Sequence, residues 1–385
     1  MIVVKGVMDY AEPERHQGFR DFAARAAAEV LIGFLRKHLE PGGKTPADIL
    51  STNIRPPSSA TNPGTLLNAR YEVVPFLEDA RLADLKKIEE WCSDGKPTST
   101  RLFVGSGGVG KTRLFIEWTK RLREKGWFAG FLPDQISVDD LVILLTCPEP
   151  TLIVVDYAES RPELLAFLKG VAGRSLPRNV SLRVALLARE VADWWAVLLE
   201  LDETVRQMLL GYEPVRLKPV PVEGPMRAQI WEHACKAFSD VRKKSMPTSH
   251  VDLKDERFNR LLYLHMAALA SVDGLDVSAD SLVNEIVAHE KRFWVKKFQE
   301  HHKSDDLAHT DFVARASRTV AAVTLYGGLS TVEQAEELNT RINGPTEKHF
   351  IRFLHSFYPG TGMDSQNRYL CGLEPDLLGE ALVIG

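Results

Sequence analysis

Residues 105–112 read Gly105-Ser106-Gly107-Gly108-Val109-Gly110-Lys111-Thr112. A glycine, four residues and then Gly-Lys-Thr form the Walker A pattern of a phosphate-binding loop, or P-loop. The glycines allow positive φ angles and let the backbone approach a ligand closely. Successive N–H groups can then surround an anion, and the helix after the loop adds the positive end of its dipole. The stretch therefore predicts a binding site for a chain of phosphates.

The residues on either side of the loop fit this prediction better than a glycine-rich hairpin or linker. Residues 101–104 predict a short buried strand, and residues 112–123 predict a helix with apolar side chains at helical spacing. Lys111 would reach the β- and γ-phosphates, and the Thr112 hydroxyl would bind Mg²⁺. The predicted nucleotide-binding residues here are Gly105, Ser106, Gly107, Gly108, Val109, Gly110, Lys111, Thr112 and Arg113.

A second motif lies at residues 151–159, Thr-Leu-Ile-Val-Val-Asp-Tyr-Ala-Glu. Five apolar or β-branched residues that run into an acid are the Walker B pattern. Asp156 would then lie at the end of a buried parallel strand and bind the Mg²⁺ shell, unless it belongs to an acidic turn after a core strand. Glu159 would orient or deprotonate the attacking water, and its alternative role is a surface or Arg-paired glutamate. The predicted catalytic residues are Glu159, Asp156, Lys111 and Arg189.

The spacing of the two motifs indicates the type of sheet. Between Lys111 and Asp156 there is room for a helix, a strand and a helix, so the acid follows the third strand in sequence. This favours P-loop ATPases with an additional inserted strand over nucleoside kinases and small GTPases. Residues 183–189 predict the next strand, and Arg189 at its end could reach a γ-phosphate or form a salt bridge with Glu190 or Asp193. Residues 215–217 predict a fifth strand.

Two stretches precede the P-loop. Residues 71–76 form a short apolar patch that would close over an adenine or pack in the core, and a helix is expected over 79–92. Residues 9–40 contain an amphipathic helix that would pack on its own domain or dock on a partner or another subunit. Residues 41–68, rich in Pro, Ser, Thr, Asn and Gly, predict a linker.

Composition limits the remaining classes. The chain has 385 residues, is 44% hydrophobic and 26% charged, and has a formal net charge of −4. This composition is ordinary for a soluble globular protein and gives no global case for binding nucleic acid or a membrane surface. No apolar run is long enough to cross a bilayer, and four scattered cysteines predict reduced thiols in a cytoplasmic protein.

After residue 226 the sequence predicts helices, then a β-ribbon near 367–373, which suggests a winged-helix module. The predicted fold is α/β, with a P-loop NTPase parallel sheet followed by a helical lid and an α-helical winged-helix domain. The predicted regions are 1–68, an amphipathic helix and linker; 69–222, a nucleotide-binding domain; 223–305, a helical lid; and 306–385, a winged-helix-like domain.

With these residues in view, the chain over 70–385 resembles the bacterial STAND ATPases, the class that includes NACHT and NB-ARC signalling switches. The resemblance rests on Val-Val-Pro-Phe at 73–76, the Gly-Lys-Thr loop, Leu-Ile-Val-Val-Asp-Tyr-Ala-Glu at 152–159 and Ala-Leu-Leu-Ala-Arg at 185–189. Leu-His-Met-Ala-Ala-Leu at 264–269 and Leu-Glu-Pro-Asp-Leu-Leu-Gly-Glu at 373–380 resemble bacterial members with tandem-repeat sensors. The sequence contains no such repeats, so the sensor is expected on another chain or outside these residues.

The resemblance implies ATP/ADP and Mg²⁺ as cofactors, with Val74 and Phe76 on the base and Arg189 sensing the γ-phosphate. It further implies a switch that is closed with ADP, opens with ATP, hydrolyses slowly and oligomerises on activation, in some members as antiphage defence. The lid lacks an evident Gly-x-Pro near 264–270. The winged helix lacks a clear Met-His-Asp, which leaves His349 and His355 as candidates for the β-phosphate contact.

Two other functions remain open. A DNA-associated AAA+-like ATPase is suggested by the winged helix and the basic clusters at 242–244 and 291–297. A non-hydrolysing scaffold with permanently bound ADP would act through a partner protein at residues 1–68.

Overall fold

The structure, a computed structural model, describes residues 44–50, 61–133, 136–173, 180–248, 251–301, 306–345, 349–360 and 368–385. The amphipathic helix predicted within 9–40 lies outside these residues. The stretch Pro46–Gly385 forms one compact unit, and the description that follows concerns this unit.

Five parallel strands form the sheet, as the sequence predicts. They are β1 (Thr98–Val104), β2 (Phe128–Phe131), β3 (Thr151–Val155), β4 (Leu182–Ala188) and β5 (Val215–Arg216). Their order is β2-β3-β4-β1-β5, so β4 is inserted between the strand before the P-loop and the strand before Asp156. This is the additional-strand arrangement, and the α/β P-loop NTPase fold is confirmed.

Strands β3 and β4, which are neighbours in the sheet, explain why the sheet forms here. Every residue of β3 and β4 is buried, because helices cover both faces of a parallel sheet. Side chains of β3 alternate between the two layers: Leu152 and Val154 face one apolar cluster, and Ile153 and Val155 face the other. The carboxyl ends of β1, β3 and β4 consequently meet at one edge, where Gly105, Asp156 and Arg189 follow.

Helices fill the layers on both faces of the sheet. They are α1 (Pro46–Ile49), α3 (Leu82–Cys92), α4 (Lys111–Glu124), α5 (Val138–Thr146), α6 (Leu164–Ala172), α7 (Asp193–Leu201) and α8 (Glu203–Leu209). Helix α2 (Pro63–Leu67) packs in the helical part instead. Helices α3 and α4 share one apolar cluster with the sheet, and α5 to α8 share the other.

The helical part follows the sheet, as predicted. Its helices are α9 (Met226–Arg242), α10 (Leu261–Asp273), α11 (Leu282–His301), α12 (Asp306–Tyr326), α13 (Val332–Asn343), α14 (Phe350–His355) and α15 (Asp376–Ile384). One apolar cluster runs through α9 to α15, and within it Phe298 stacks on Phe312 at 4.1 Å between ring centroids. Residues on both sides of the boundary predicted between 305 and 306 belong to this one apolar cluster. The division into a lid and a winged-helix-like domain therefore stays a prediction.

The structure corrects the linker predicted over 41–68. Residues 62–67 are buried, and α2 packs in the core of the helical part. The Asn62 amide and the Gly64 N–H donate to the two oxygens of Glu290, at 2.6 and 2.8 Å. Polar and small residues resemble a linker in sequence, but here their backbone and amide groups are satisfied by a distant carboxylate. Residues 62–67 are therefore part of the core, and a partner surface within 1–68 could only involve other residues.

Two isolated bridges represent the predicted ribbon among its described residues. Leu370 forms antiparallel bridges with Leu329 and with Pro359, whereas residue 367 of the prediction lies outside the described residues. All four cysteines are free thiols, in agreement with the sequence analysis. Among the described residues, no helix is long and apolar enough to cross a membrane.

Candidate nucleotide-binding site

The P-loop connects the end of β1 to the start of α4. Gly108 and Gly110 have φ angles of 78° and 101°, a region that glycine adopts without strain. A Cβ at Gly108 would lie 2.8 Å from Leu262 Cβ, and one at Gly110 would lie 2.6 Å from Leu261 Cδ1. The Leu262 N–H also donates to the Gly108 carbonyl at 3.0 Å. Helix α10 therefore begins directly against the loop, and only glycine allows this approach.

The side chain of Lys111 folds back over the start of the P-loop. Its Nζ donates to the Gly105 carbonyl and lies 3.5 Å from that of Ser106. Burial lowers the pKa of Lys111, and the nearby charges of Asp156 and Glu159 oppose this effect. The amine is thus held where phosphate oxygens would meet it.

Thr112 and Asp156 are brought together from the two motifs. Thr112 Oγ1 donates to Asp156 Oδ2 at 3.0 Å, and the Tyr157 N–H donates to Oδ1 at 3.2 Å. Burial raises the pKa of Asp156, against the charges of Arg70 and Lys111 and the hydrogen bond from Thr112. A hydroxyl and a carboxylate at this distance are hard oxygen ligands of the type that Mg²⁺ prefers. The described residues contain no cluster of three or more His, Cys, Asp or Glu that could hold a metal ion.

Glu159 has one oxygen fixed and one oxygen unused. Oε1 accepts from the backbone N–H of Arg189 at 2.9 Å, whereas Oε2 is buried without a hydrogen-bond partner among the described residues. The partner of Glu159 is thus a backbone amide and not the guanidinium that the alternative prediction named. An oriented carboxylate with a free acceptor beside the cavity has the geometry of a group that holds water.

Arg189 lies at the end of β4, but its partners differ from those predicted. Its Nη2 lies 2.9 Å from Asp376 Oδ2 and 2.9 Å from Glu380 Oε1, both on α15. These two hydrogen bonds and charges raise the pKa of Arg189, although burial opposes them. A salt bridge with Glu190 or Asp193 is therefore wrong as the alternative, because the helical part supplies the nearest carboxylates.

A cavity of about 570 Å³ joins these groups, within the usual range of ligand sites of about 300–1,000 Å³. Twelve of the predicted site residues line it: Val74, Phe76, Ser106, Gly107, Gly108, Gly110, Lys111, Thr112, Arg113, Asp156, Glu159 and Arg189. Gly105 and Val109 lie behind the wall, where a Cβ at Gly105 would meet Val109 Cγ1 at 2.8 Å.

Part of the cavity wall is apolar. Val74 and Phe76 line it, and the Arg113 guanidinium is 5.3 Å from the centroid of the Phe76 ring. His265 of α10 also lines the cavity, and burial lowers its pKa to about 4, so its imidazole is neutral at pH 7. An apolar wall with a few polar atoms suits a nucleobase.

Several lining residues escaped the sequence analysis. Arg70, Arg260, His265, Asp376 and Glu380 all border the cavity. Residues 373–380 had been noted only as a resemblance, without a role. The candidate histidines do not border it: His355 stacks on Tyr369 at 4.2 Å, and His349 precedes α14. Each missed residue is distant in sequence from the loop, so no local pattern could place it there.

No protein-family model and no curated protein matches the chain. Solved structures do. The Aeropyrum pernix ORC2 protein in ADPNP–ADP complexes is 14% identical, with 81% of this chain and 96% of that chain covered and a TM-score of 0.37. The Aeropyrum pernix ORC1 protein in complex with DNA is 14% identical, with 83% and 95% covered and a TM-score of 0.35. The Thermotoga maritima RuvB Holliday junction branch migration motor is 14% identical, with 60% and 81% covered and a TM-score of 0.33. At these values the similarity does not extend beyond the fold class.

Proposed function

We propose that this protein is an ATP-binding signalling switch that hydrolyses ATP slowly. The observation that carries the proposal is the 3.0 Å contact between the P-loop hydroxyl of Thr112 and the carboxylate of Asp156, at the floor of a nucleotide-sized cavity. Two motifs 44 residues apart converge there with Lys111, and each contributes the residue type that a Mg²⁺–nucleotide complex requires.

Each side chain has a proposed role in the hydrolysis of ATP to ADP and phosphate. Lys111 binds the β- and γ-phosphates, and Thr112 and Asp156 would hold Mg²⁺, which would neutralise phosphate charge when bound. Glu159 Oε2 takes a proton from water as the water oxygen bonds to the γ-phosphorus, and the bond between the γ-phosphorus and the β–γ bridging oxygen breaks, so that its electron pair leaves with ADP. Arg189 detects the γ-phosphate. Val74 and Phe76 contact the base.

The walls of the cavity explain why we favour a switch over a metabolic enzyme. They come from the sheet, from the start of α10 and from the start of α15. A nucleotide would thus contact all three parts at once, and its phosphate number could bias their arrangement, as in other nucleotide switches. We infer a state closed by ADP and opened by ATP, followed by homo-oligomerisation, with antiphage defence as the setting implied by the resemblance to STAND ATPases.

The test is nucleotide binding and turnover with Mg²⁺ present. Wild type should bind ATP and ADP and release phosphate slowly, and Lys111→Ala should lose binding because the phosphate contact is gone. Lys125→Ala is the matched control, since Lys125 follows the same helix but pairs with Glu89 at 3.1 Å on the surface. If wild type binds neither nucleotide, the proposal fails.

A DNA-associated ATPase is the second candidate. Its support is the P-loop sheet followed by a helical part, the class of fold shared with the ORC1 structure that was solved with DNA. The basic clusters contribute little, because Arg242 and Lys244 both pair with Asp273 at 2.9 Å and Lys297 pairs with Glu300 at 2.7 Å. DNA-stimulated turnover and salt-dependent DNA binding would favour this candidate over the switch. Absence of DNA binding at low salt would exclude it.

The third candidate is the non-hydrolysing scaffold. Glu159→Gln separates it from the switch, because the amide keeps the shape of the side chain but cannot take a proton. A switch that depends on hydrolysis should lose turnover in this variant. The scaffold predicts no turnover above background in wild type, and signalling that is the same in wild type and in this variant.

A further inference from the structure

The guanidinium of Arg189 is shared by two carboxylates of α15. Asp376 and Glu380 are four residues apart, so they lie on one face of this helix, and both contact Arg189 Nη2 at 2.9 Å. Arg189, which follows β4, thus binds the start of α15 through two ion pairs.

This contact lies at the phosphate end of the cavity. Asp376, Leu377 and Glu380 line the cavity together with Lys111, and a Cβ at Gly108 would lie 3.4 Å from Leu377 Cδ1. The charge of Asp376 also acts on the pKa of Lys111. The first turn of α15 therefore covers the part of the loop where a third phosphate would lie.

The carboxylates of α15 oppose a third phosphate, although Lys111 and several arginines also line the cavity. Asp156, Glu159, Glu374, Asp376 and Glu380 all line the cavity, and the first two are engaged in the roles proposed above. A γ-phosphate would add negative charge opposite the carboxylates of α15. It would also compete with them for Arg189, since a phosphate is a strong partner for a guanidinium. A diphosphate lacks this phosphate, so it neither adds negative charge opposite α15 nor competes for Arg189.

We propose that Asp376 and Glu380 determine which nucleotide binds while α15 contacts Arg189. Because the two acids occupy Arg189 and add negative charge to the cavity, the site then binds a nucleoside diphosphate more tightly than a triphosphate. This proposal rests on the proposed function, because it requires a nucleotide in the cavity. In it, binding of a triphosphate and the contact between Arg189 and α15 exclude each other. The two acids therefore convert the presence of a γ-phosphate into release of the last helix.

The experiment compares two affinities in the full chain. ADP and adenylyl imidodiphosphate, each with Mg²⁺, are titrated into wild type and into the double variant Asp376→Asn/Glu380→Gln. We expect the affinity for the triphosphate analogue relative to ADP to rise on the order of 10-fold in the variant, a common size for coupling between two equilibria. The control Asp311→Asn/Glu337→Gln removes two acids whose surface pairs with Arg315 and Arg341 lie outside the cavity, and should leave the ratio unchanged.

A second measurement separates specificity from a structural role. Hydrogen exchange of the α15 amides in wild type should be faster with the analogue than with ADP, and this difference should vanish in the double variant. If that variant fails to fold, Glu380→Gln alone is used, and its ratio should move in the same direction by a smaller factor.

The outcomes distinguish this proposal from the one on which it rests. If the variant binds both nucleotides with the wild-type ratio, or loses affinity for both equally, the specificity proposal is overturned and nucleotide binding stands. If wild type binds neither nucleotide, both proposals fall together.

Discussion

Asp156 and Glu290 are two buried carboxylates, 6% and 0% exposed, and burial raises the pKa of both. Their surroundings differ. Asp156 accepts hydrogen bonds from Thr112 and the Tyr157 N–H and borders the nucleotide cavity. Glu290 lies in the core of the helical part, where it accepts from Asn62, the Gly64 N–H and the Tyr358 hydroxyl.

This difference separates the structural role of Glu290 from the metal-binding role proposed for Asp156. Burial and a raised pKa are common to both residues, so neither property separates a catalytic site from a structural one. What separates them is the use of their oxygens. The donors around Glu290 belong to two segments, the start of α2 and the residues after α14, and the carboxylate joins both of them to α11. Asp156 instead presents its oxygens to a cavity that can admit a metal and a ligand.

The largest expected effect follows from removing the structural acid. Glu290→Ala would leave the donors of Asn62, Gly64 and Tyr358 buried without an acceptor, and should lower the free energy of unfolding by about 3 kcal/mol or more. Tyr358→Phe is the comparison variant: it removes one of these donors but leaves the Trp294 indole N–H, which donates to the Tyr358 hydroxyl at 2.7 Å, without an acceptor, and should cost about 1–2 kcal/mol. Urea unfolding measures both values.

The same variant also tests the comparison in its other direction. At a temperature where Glu290→Ala is still folded, nucleotide turnover per folded molecule should stay near that of wild type. A loss of turnover with unchanged stability would mean that Glu290 acts on the site, and the distinction drawn here would be wrong.

The next largest expected effect is a loss of turnover when Asp156, the acid proposed to bind Mg²⁺, is changed. Asp156→Asn keeps the size of the side chain and an oxygen for Thr112, but removes the charge that a Mg²⁺–nucleotide complex needs. Turnover should fall about 100-fold or more, as when an active site loses one electrostatic contact. The free energy of unfolding should change by less than about 1 kcal/mol, because the buried charge is itself unfavourable. Phosphate release and urea unfolding check the pair, and a large loss of stability with intact turnover would contradict the prediction.

The position of Asp156 could be predicted from the sequence, whereas the structural role of Glu290 could not. Asp156 follows a run of five buried residues, so a local pattern placed it at a strand end, and the sheet order followed from its distance to Lys111. Glu290 lies in the middle of an amphipathic helix with no signal of its own. Its partner Asn62 is 228 residues away, in a stretch whose composition is typical of a linker.

The site shows the same limit. The loop, Asp156, Glu159 and Arg189 were predicted because each ends or follows a strand. The carboxylates that hold Arg189 were not, because Asp376 is 187 residues away and the docking of α15 depends on the packing of the whole helical part. Local periodicity can place a residue on an element, whereas contacts between distant elements require the packed structure.

A third buried acid extends the comparison to pH, with the smallest expected effect. Burial works against ionisation of Asp273, but hydrogen bonds from His289 and Lys244 and the charge of Arg242 outweigh it and lower the pKa of this carboxyl. Because its folded pKa lies below the unfolded value, Asp273 stabilises the fold at pH values above about 4, and this contribution disappears as the pH falls toward the folded pKa.

Asp273→Asn should therefore lower the free energy of unfolding by about 2 kcal/mol at pH 7 and by progressively less on acidification, as measured by urea unfolding from pH 7 to pH 2.5. Glu290, with a raised pKa, has the opposite sign: its contribution declines as the pH rises through its folded pKa. A loss in Asp273→Asn that stays constant across this range would show that packing, and not charge, accounts for the role of Asp273.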